Sequence, residues 1–268
     1  MNIEGKSARD IMQGEVISVD KDCSLERIIT LIEKNNITKI PVIENEKLTG
    51  LVSDEEIVDK LGSVRTRRIS PSSMHVSSVM IRDFDFVKPD EDLSKMIEMC
   101  KGSGIAMFPV VDDGTLVGVI TKSDILPFVD TGVPVGDIMT KNLRIVARAN
   151  RIIHARRLMV DNGIERLPVL EEGKLVGIIT STDIALFLYE FRMRVDTKYQ
   201  HARMGNLLVE HAMKKEPITI DSDTTAKKAA ELMYQENVGC LPVIDSLGRI
   251  EGIITRTDLI KTIPAKKD

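Results

Sequence analysis

The chain contains no Trp, and with six Phe and three Tyr it has few aromatic rings of any kind. A groove for single-stranded nucleic acid needs successive stacking platforms, which so few rings do not supply. The formal net charge of −4 also lacks the basic excess that a phosphate backbone attracts. Cysteine is scarce too: Cys23, Cys100 and Cys240 stand at no metal-ligand spacing and cannot all pair with one another. The four histidines, His75, His154, His201 and His211, are scattered, and no Gly-rich phosphate loop follows a strand pattern. Neither a long apolar run nor a secretory leader is evident. These absences lead us to expect a cytoplasmic, reducing setting and a chain that is not an enzyme and meets neither membrane nor nucleic acid.

What the chain does have is a phrase written four times. A hydrophobic residue precedes Pro-Val, a short turn follows, and then come Gly and a Thr/Ser-x-x-acid step. The copies are Ile40-Pro41-Val42 with Gly50, Ser53 and Glu56; Phe108-Pro109-Val110 with Gly118, Thr121 and Asp124; Leu167-Pro168-Val169 with Gly177, Thr180 and Asp183; and Leu241-Pro242-Val243 with Gly252, Thr255 and Asp258. A methionine stands 29 positions before each proline: Met12 before Pro41, Met80 before Pro109, Met139 before Pro168 and Met213 before Pro242. Self-similarity at such spacing decides the architecture before any single residue is interpreted.

Each copy reads as strand, helix, two strands and helix. Short strands are expected at 16–19, 84–87, 143–146 and 218–220. Apolar residues then recur at helical spacing, as in Leu25, Ile28, Ile29 and Ile32. Asn36, Gly104, Gly163 and Asn237, each five positions before its proline, are types that tolerate the left-handed conformation closing a helix. Asp113-Gly114 and Glu172-Gly173 signal tight hairpins. One copy has too little core to stand alone, so copies should stack. The fold class is therefore α/β (α+β), with β-α-β-β-α repeats at 7–61, 77–130, 134–190 and 208–262. Prolines 41, 109, 168 and 242 are 68, 59 and 74 positions apart. The longer connections suggest pairs 1–2 and 3–4, as two pseudo-twofold modules at 1–130 and 131–268. The linkers at 62–78 and 191–204 are rich in cations, including Arg65, Arg67, Arg68, Arg192, Arg194, Lys198 and Arg203. They read either as solvated linkers or as contacts for an anionic partner.

The acid steps have two readings. Thr-x-x-Asp where a strand enters a helix is a capping box, with the hydroxyl at the N-cap and the acid at the third helical position. The same carboxylate could equally accept the hydroxyls of a sugar, and the helix N-terminus could face a phosphate. Ser53 with Glu56 fits the first reading better, since the extra methylene displaces the carboxylate.

The fourfold repeat resembles the cystathionine-β-synthase (CBS) domain family, as a tandem of four repeats in two Bateman modules. The layout is similar to that of the regulatory γ subunit of AMP-activated protein kinase. The resemblance covers about residues 7 to 262 and implies clefts between paired repeats that hold adenosine-containing ligands. It implies ribose-binding by Asp124, Asp183 and Asp258, with Thr121, Thr180 and Thr255 near phosphate. Phe86, Met107, Phe108 and Pro109 would line one base pocket, Ile145, Val146, Leu167 and Pro168 a second, and Ile218, Cys240, Leu241 and Pro242 a third. Among the cations beside these positions, Arg166 is the best phosphate ligand, because guanidinium pairs bidentately with phosphate; Arg256 and Lys122 lie inside the acid motif. Arg156 takes a place that is otherwise apolar (Ile29, Ile97, Ala230), where a cation requires a partner or an anion. The expected function is a non-catalytic sensor of AMP, ADP or ATP, the nucleotide being a regulatory ligand with no catalytic cofactor. The alternatives are an S-adenosylmethionine sensor, an adaptor for nucleic acid or another anionic partner through the linkers, and a scaffold. A regulated protein and a second copy of the chain are the further partners consistent with it.

Overall fold

A computed structural model describes residues 3–63, 69–103 and 105–264. Repeat 1 comprises β1 (Val19–Asp20), α1 (Leu25–Asn35), β2 (Lys39–Glu44), β3 (Lys47–Ser53) and α2 (Asp54–Gly62); repeat 2 comprises α3 (Leu93–Ser103), β4 (Met107–Asp112), β5 (Thr115–Thr121) and α4 (Lys122–Ile125). After α5 (Val135–Ile138), repeat 3 supplies β6 (Val146–Ala147), α6 (Ile152–Asn162), β7 (Arg166–Glu171), β8 (Lys174–Thr180) and α7 (Ser181–Arg194). There follow α8 (Thr197–Met204), β9 (Lys214–Lys215) and repeat 4, with α9 (Ala226–Gln235), β10 (Cys240–Ile244), β11 (Ile250–Thr255) and α10 (Arg256–Ile260). The mixed α/β class is the one expected.

Local signals act where the residue types place them. Asn36, Gly163 and Asn237 have φ of 50°, 60° and 49° and close their helices in the left-handed region; Gly104 lies outside the described residues. In the hairpins, Asp113-Gly114 and Glu172-Gly173 each place two successive residues at positive φ, the turn whose twist matches paired strands. The expected first strands are much shorter than four residues. Only β1 and β6 form ladders, Val19 facing Val42 and Val146 facing Val169 in parallel, while Val87 and Ile220 make single bridges to Val110 and Val243. Pairing is confined to the point where this edge segment runs beside the central strand.

The chain folds as two compact units, each built from separated stretches: Met1–Val16, Asp85–Leu143 and Pro217–Asp268 in the first, and Ile17–Phe84 and Arg144–Glu216 in the second. The second unit holds the bodies of repeats 1 and 3, and there α2 packs on α7, so that Ile57, Val58 and Leu61 share a core with Ile184, Ala185 and Leu188. The first unit holds repeats 2 and 4, where Met96, Ile97, Phe108 and Ile125 join Ala229, Met233, Leu241 and Leu259. Helix packing thus defines units that differ from the halves 1–130 and 131–268.

The periodic methionines follow a different rule. Each ends a one-turn leader, at Ala8–Asp10, Val76–Ser78, Val135–Ile138 or Val209–His211, that precedes its own repeat and lies on the third strand of another. Met12 covers Gly118 and Met80 covers Gly50; Met139 covers Gly252 and Met213 covers Gly177. The exchange is reciprocal between repeats 1 and 2 and between repeats 3 and 4. The residue after each methionine then bonds the strand beside that glycine: Gln13 with Val119, Ile81 with Leu51, Thr140 with Ile253 and Lys214 with Ile178. A side chain on the glycine would collide, since a Cβ on Gly118 would stand 2.7 Å from Met12 Sδ and one on Gly177 3.0 Å from Met213 Sδ.

Several cations turn out to be struts. Arg156 donates from Nε to Val58 O (3.1 Å) and from Nη2 to Asp59 O (3.1 Å) and Oδ1 (2.6 Å), closing the C-terminal end of α2, where carbonyls lack helical partners. Arg192 is buried and donates to Leu61 O (3.1 Å) and Ile69 O (2.7 Å). The stretch 191–204, expected as a linker, is the end of α7 followed by α8, with Arg194 paired to Glu190 (3.2 Å) and Lys198 to Asp196 (3.8 Å). Arg65, Arg67 and Arg68 lie outside the described residues.

Replacing Gly118 with Ala should destabilise the protein by about 1–3 kcal/mol, the usual cost of overpacking. Shortening the facing side chain in the double variant Gly118→Ala/Met12→Ala should recover part of that loss. Urea denaturation of the four proteins of this cycle measures the coupling, and strictly additive effects would contradict the close contact.

Candidate functional site

The acid motifs stand where a strand feeds directly into a helix. At the end of β5, Thr121 donates from its backbone N–H and its hydroxyl to Asp124 Oδ2, both at 2.7 Å. Thr180 does the same to Asp183 Oδ2 (2.8 and 2.7 Å), as does Thr255 to Asp258 Oδ2 (2.9 and 2.7 Å). The Asp183 N–H returns a bond to Thr180 Oγ1 (3.1 Å). All three Thr/Asp steps are therefore closed capping boxes. At Ser53 only the hydroxyl reaches Glu56, and the reciprocal box is not made. This corrects the expectation that Ser53 and Glu56 make a capping box rather than a sugar clamp: the longer side chain brings its carboxylate to the hydroxyl but not back to the N-cap backbone.

Each box uses one carboxylate oxygen, and in repeats 2 and 3 the other oxygen meets the leader of another repeat. Gln13 Nε2 donates to Asp124 Oδ1 at 2.7 Å, and Lys214 Nζ stands 3.5 Å from Asp183 Oδ1, Asp183 itself being buried. Both donors immediately follow a periodic methionine. Sequence reading missed them, although the signal was there: the four positions after the methionines are Gln13, Ile81, Thr140 and Lys214. The apolar member, Ile81, belongs to the leader that covers repeat 1, whose acid is Glu56.

Strand alternation sorts the expected pocket residues. Phe108 and Val110, Leu167 and Val169, and Leu241 and Val243 turn into the cores, so Met107 and Pro109, Arg166 and Pro168, and Cys240 and Pro242 occupy the opposite face. Leu167 and Val146, in the core of the second unit, and Phe108 and Leu241, in that of the first, consequently leave the expected pocket set. Met107, Cys240 and the three prolines are buried as well. Phe86 and Ile145 are large exposed apolar groups, 54% and 46% accessible, each directly before the core residue of its first strand. Ile218 is exposed too but stands two residues before Ile220, so Thr219 takes the place equivalent to Phe86 and Ile145.

The basic residues expected to meet phosphate all have protein partners. Arg166 Nη2 donates to Glu165 Oε2 at 2.6 Å, Lys122 Nζ to Thr257 Oγ1 at 2.8 Å, and Arg256 Nη2 to Asn237 Oδ1 at 3.4 Å. Among the described residues, no group of three or more His, Cys, Asp and Glu side chains could hold a metal ion, and no helix is long and apolar enough to cross a membrane.

A sequence profile of the CBS domain matches residues 8–63, 76–130, 135–190 and 209–265. Protein MJ1225 of Methanocaldococcus jannaschii is 29% identical over 270 residues, which span 92% of this chain and 95% of that protein. Its crystal structure superposes with a TM-score of 0.85 at 28% identity, covering 97% of this chain and 100% of that one. A 33.4 kDa protein from the ribosomal RNA operon of Thermofilum pendens is 25% identical over 257 residues, 90% of this chain and 85% of its own length. The structure of a conserved Pyrococcus horikoshii protein shares the fold, with a TM-score of 0.61 at 22% identity over 97% of this chain and 100% of that one.

The boxes predict strong coupling. Thr180→Ala and Asp183→Ala should each destabilise by about 1 kcal/mol, the typical cost of losing a helix cap, and the double variant by distinctly less than the sum. Thermal or urea unfolding of the set decides this, additive losses being the contrary result.

Proposed function

We propose, from the premise that the chain belongs to the CBS domain family, that it is a non-catalytic sensor binding adenosine-containing ligands at the Thr-Asp steps of repeats 2, 3 and 4. The observation that carries this reading is the shared build of the acids: in all three one oxygen is fixed by the box, and in Asp124 and Asp183 the other faces a neighbouring leader. A carboxylate held rigidly by two donors is pre-organised to accept a ribose hydroxyl, which lowers the ordering cost of binding. Phe86 and Ile145 offer exposed apolar surface for a base in repeats 2 and 3. Repeat 1 departs from this pattern at every point, with Ser18 in place of Phe86, Ile81 in place of the polar leader residue and Glu56 in place of Asp. It is the repeat in which weak or absent binding is expected.

Repeats 1 with 2 and 3 with 4 are the proposed functional pairs, at residues 1–130 and 131–268. Their reciprocal methionine-on-glycine contacts support this pairing, because ligand at one repeat then bears on the leader of its mate. MJ1225 is described as a candidate archaeal homolog of g-AMPK, in keeping with AMP, ADP or ATP as the ligand. One observation favours S-adenosylmethionine instead. Arg166 and Arg256 are already held by Glu165 and Asn237, so a phosphate would have to displace those bonds whereas a ligand without phosphate would not.

Calorimetry with AMP, ADP, ATP and S-adenosylmethionine tests the reading. Heat from at least one is expected, and silence from all four at millimolar concentration would leave only a scaffold. Asp183→Ala and Asp258→Ala should each weaken binding by about 1.5–3 kcal/mol, the range for hydrogen bonds to charged groups. Glu56→Ala should leave the isotherm unchanged. At a hundredfold excess over its dissociation constant a ligand at one site should also stabilise the fold by about 2.7 kcal/mol.

A further inference from the structure

The second unit holds a group of charges that none of the preceding roles uses. Asp54 and Glu55 open α2, Lys39 begins β2, Glu165 precedes β7, Arg166 begins it, and Ser181 and Thr182 open α7. Asp54 is 5% exposed and accepts from the Thr182 hydroxyl. Glu55 and Glu165 are half-buried and their carboxyls are in hydrogen-bond contact. Arg166 Nη2 lies 2.6 Å from Glu165 Oε2, and Lys39 Nζ lies 4.0 Å from Glu55 Oε1. The surrounding charges are spoken for: Glu56 is bonded by Ser53, Asp59 by Arg156, and Lys60 reaches Ser78 O at 2.8 Å. Among the described residues, three carboxyls thus share two cations. Two carboxylates cannot hydrogen-bond each other without a proton, and adding one both makes the bond and balances the charge.

We propose that Glu55 and Glu165 hold a single proton between them, and that this proton fastens repeat 1 to repeat 3 within the second unit, so that alkalinisation loosens that contact. Glu55 is the residue that carries it, since Arg166 keeps Glu165 ionised. Burial, followed by the contact with Glu165, pushes Glu55 up to about 7. Burial also acts upward on Glu165, but Arg166, the Glu55 hydrogen bond and Lys39 outweigh it and hold this carboxyl low. Asp54 is pushed up by burial to about 6. A cavity of about 530 Å3, lined by Glu55, Val79, Met159, Ile164 and Ser181 among others, lets water reach Glu55 and exchange the proton.

The equivalent positions of the first unit lack this chemistry. Lys122 replaces Asp54, Ser123 replaces Glu55, Gly239 replaces Glu165, and Met107 and Cys240 replace Lys39 and Arg166. Even the hydroxyl bond is reversed, with Lys122 donating to Thr257 where Thr182 donates to Asp54. The proton is therefore a property of one unit.

A folded state that binds a proton more tightly than the unfolded chain is stabilised below the ordinary carboxyl range and loses that stability as pH rises through the folded value. For Glu55 the loss runs from the ordinary carboxyl range up to about pH 7 and levels off above it, and Asp54 contributes a fall of the same sign that ends near pH 6. Melting temperatures between pH 6 and 8, for the wild type, Glu55→Gln and Asp54→Asn, test the proposal. The wild type should lose on the order of 3 °C across this range. Glu55→Gln, whose amide donates to Glu165 at any pH, should abolish most of the fall, while Asp54→Asn should retain most of it, the larger part between pH 6 and 7. A flat wild-type profile, or an equal fall in Glu55→Gln, would overturn the proposal. Should that variant not fold, infrared spectroscopy of the wild type serves: a protonated carboxyl band present at pH 6.5 and lost by pH 8.5 supports the proton, and its absence at pH 6.5 refutes it.

Discussion

The close seating of a methionine on a glycine is the contact around which this chain is organised. Four times a leader crosses to a repeat other than its own, and four times a thioether occupies the space a Cβ would need. The flexible, polarisable methionine side chain suits such a contact, because it fills an irregular gap without the shape demands of a branched residue. The same crossing delivers the next residue to the acid of the receiving repeat, so architecture and candidate site come from a single device. Gln13 beside Asp124 and Lys214 beside Asp183 are its products.

Capping and the proposed ligand binding, which looked like competing explanations of the acid steps, call on different atoms. One oxygen of each Asp closes the helix start, and in Asp124 and Asp183 the other is turned toward a leader. A cap of this kind serves as the support that holds the carboxylate in one orientation. Repeat 1 separates the two roles by losing both: Glu56 does not close the box, and the leader residue opposite is apolar. The inner faces have diverged as well, since the place filled by carboxyls in the second unit is filled by Lys122 and small or apolar side chains in the first.

Much of the fold could be read from local pattern. The left-handed closures at Asn36, Gly163 and Asn237 and the positive-φ hairpins depend on residue types whose conformational preferences act within a few bonds. The errors also have identifiable sources. The resemblance assigned Leu167, beside Pro-Val, and Val146, on the first strand, to a pocket, but alternation along each strand turns them into the core. Arg156 and Arg192 looked like exposed or ligand-seeking cations, yet their guanidinium groups satisfy carbonyls of distant segments, which no local pattern announces.

The sequence by itself determined the number of repeats, the order of elements within each, the glycine and methionine periods, and repeat 1 as the odd member. All of these rest on short-range stereochemistry or on self-similarity along the chain. Only the tertiary structure decided which glycine each methionine covers, that helix packing groups repeat 1 with repeat 3 and repeat 2 with repeat 4, and that Glu55 meets Glu165. Contacts between those grouped repeats join distant residues, Lys122 and Thr257 being 135 positions apart. Such partners are chosen by the burial of whole helix faces, a free energy that belongs to the assembled surfaces and to no single stretch of sequence.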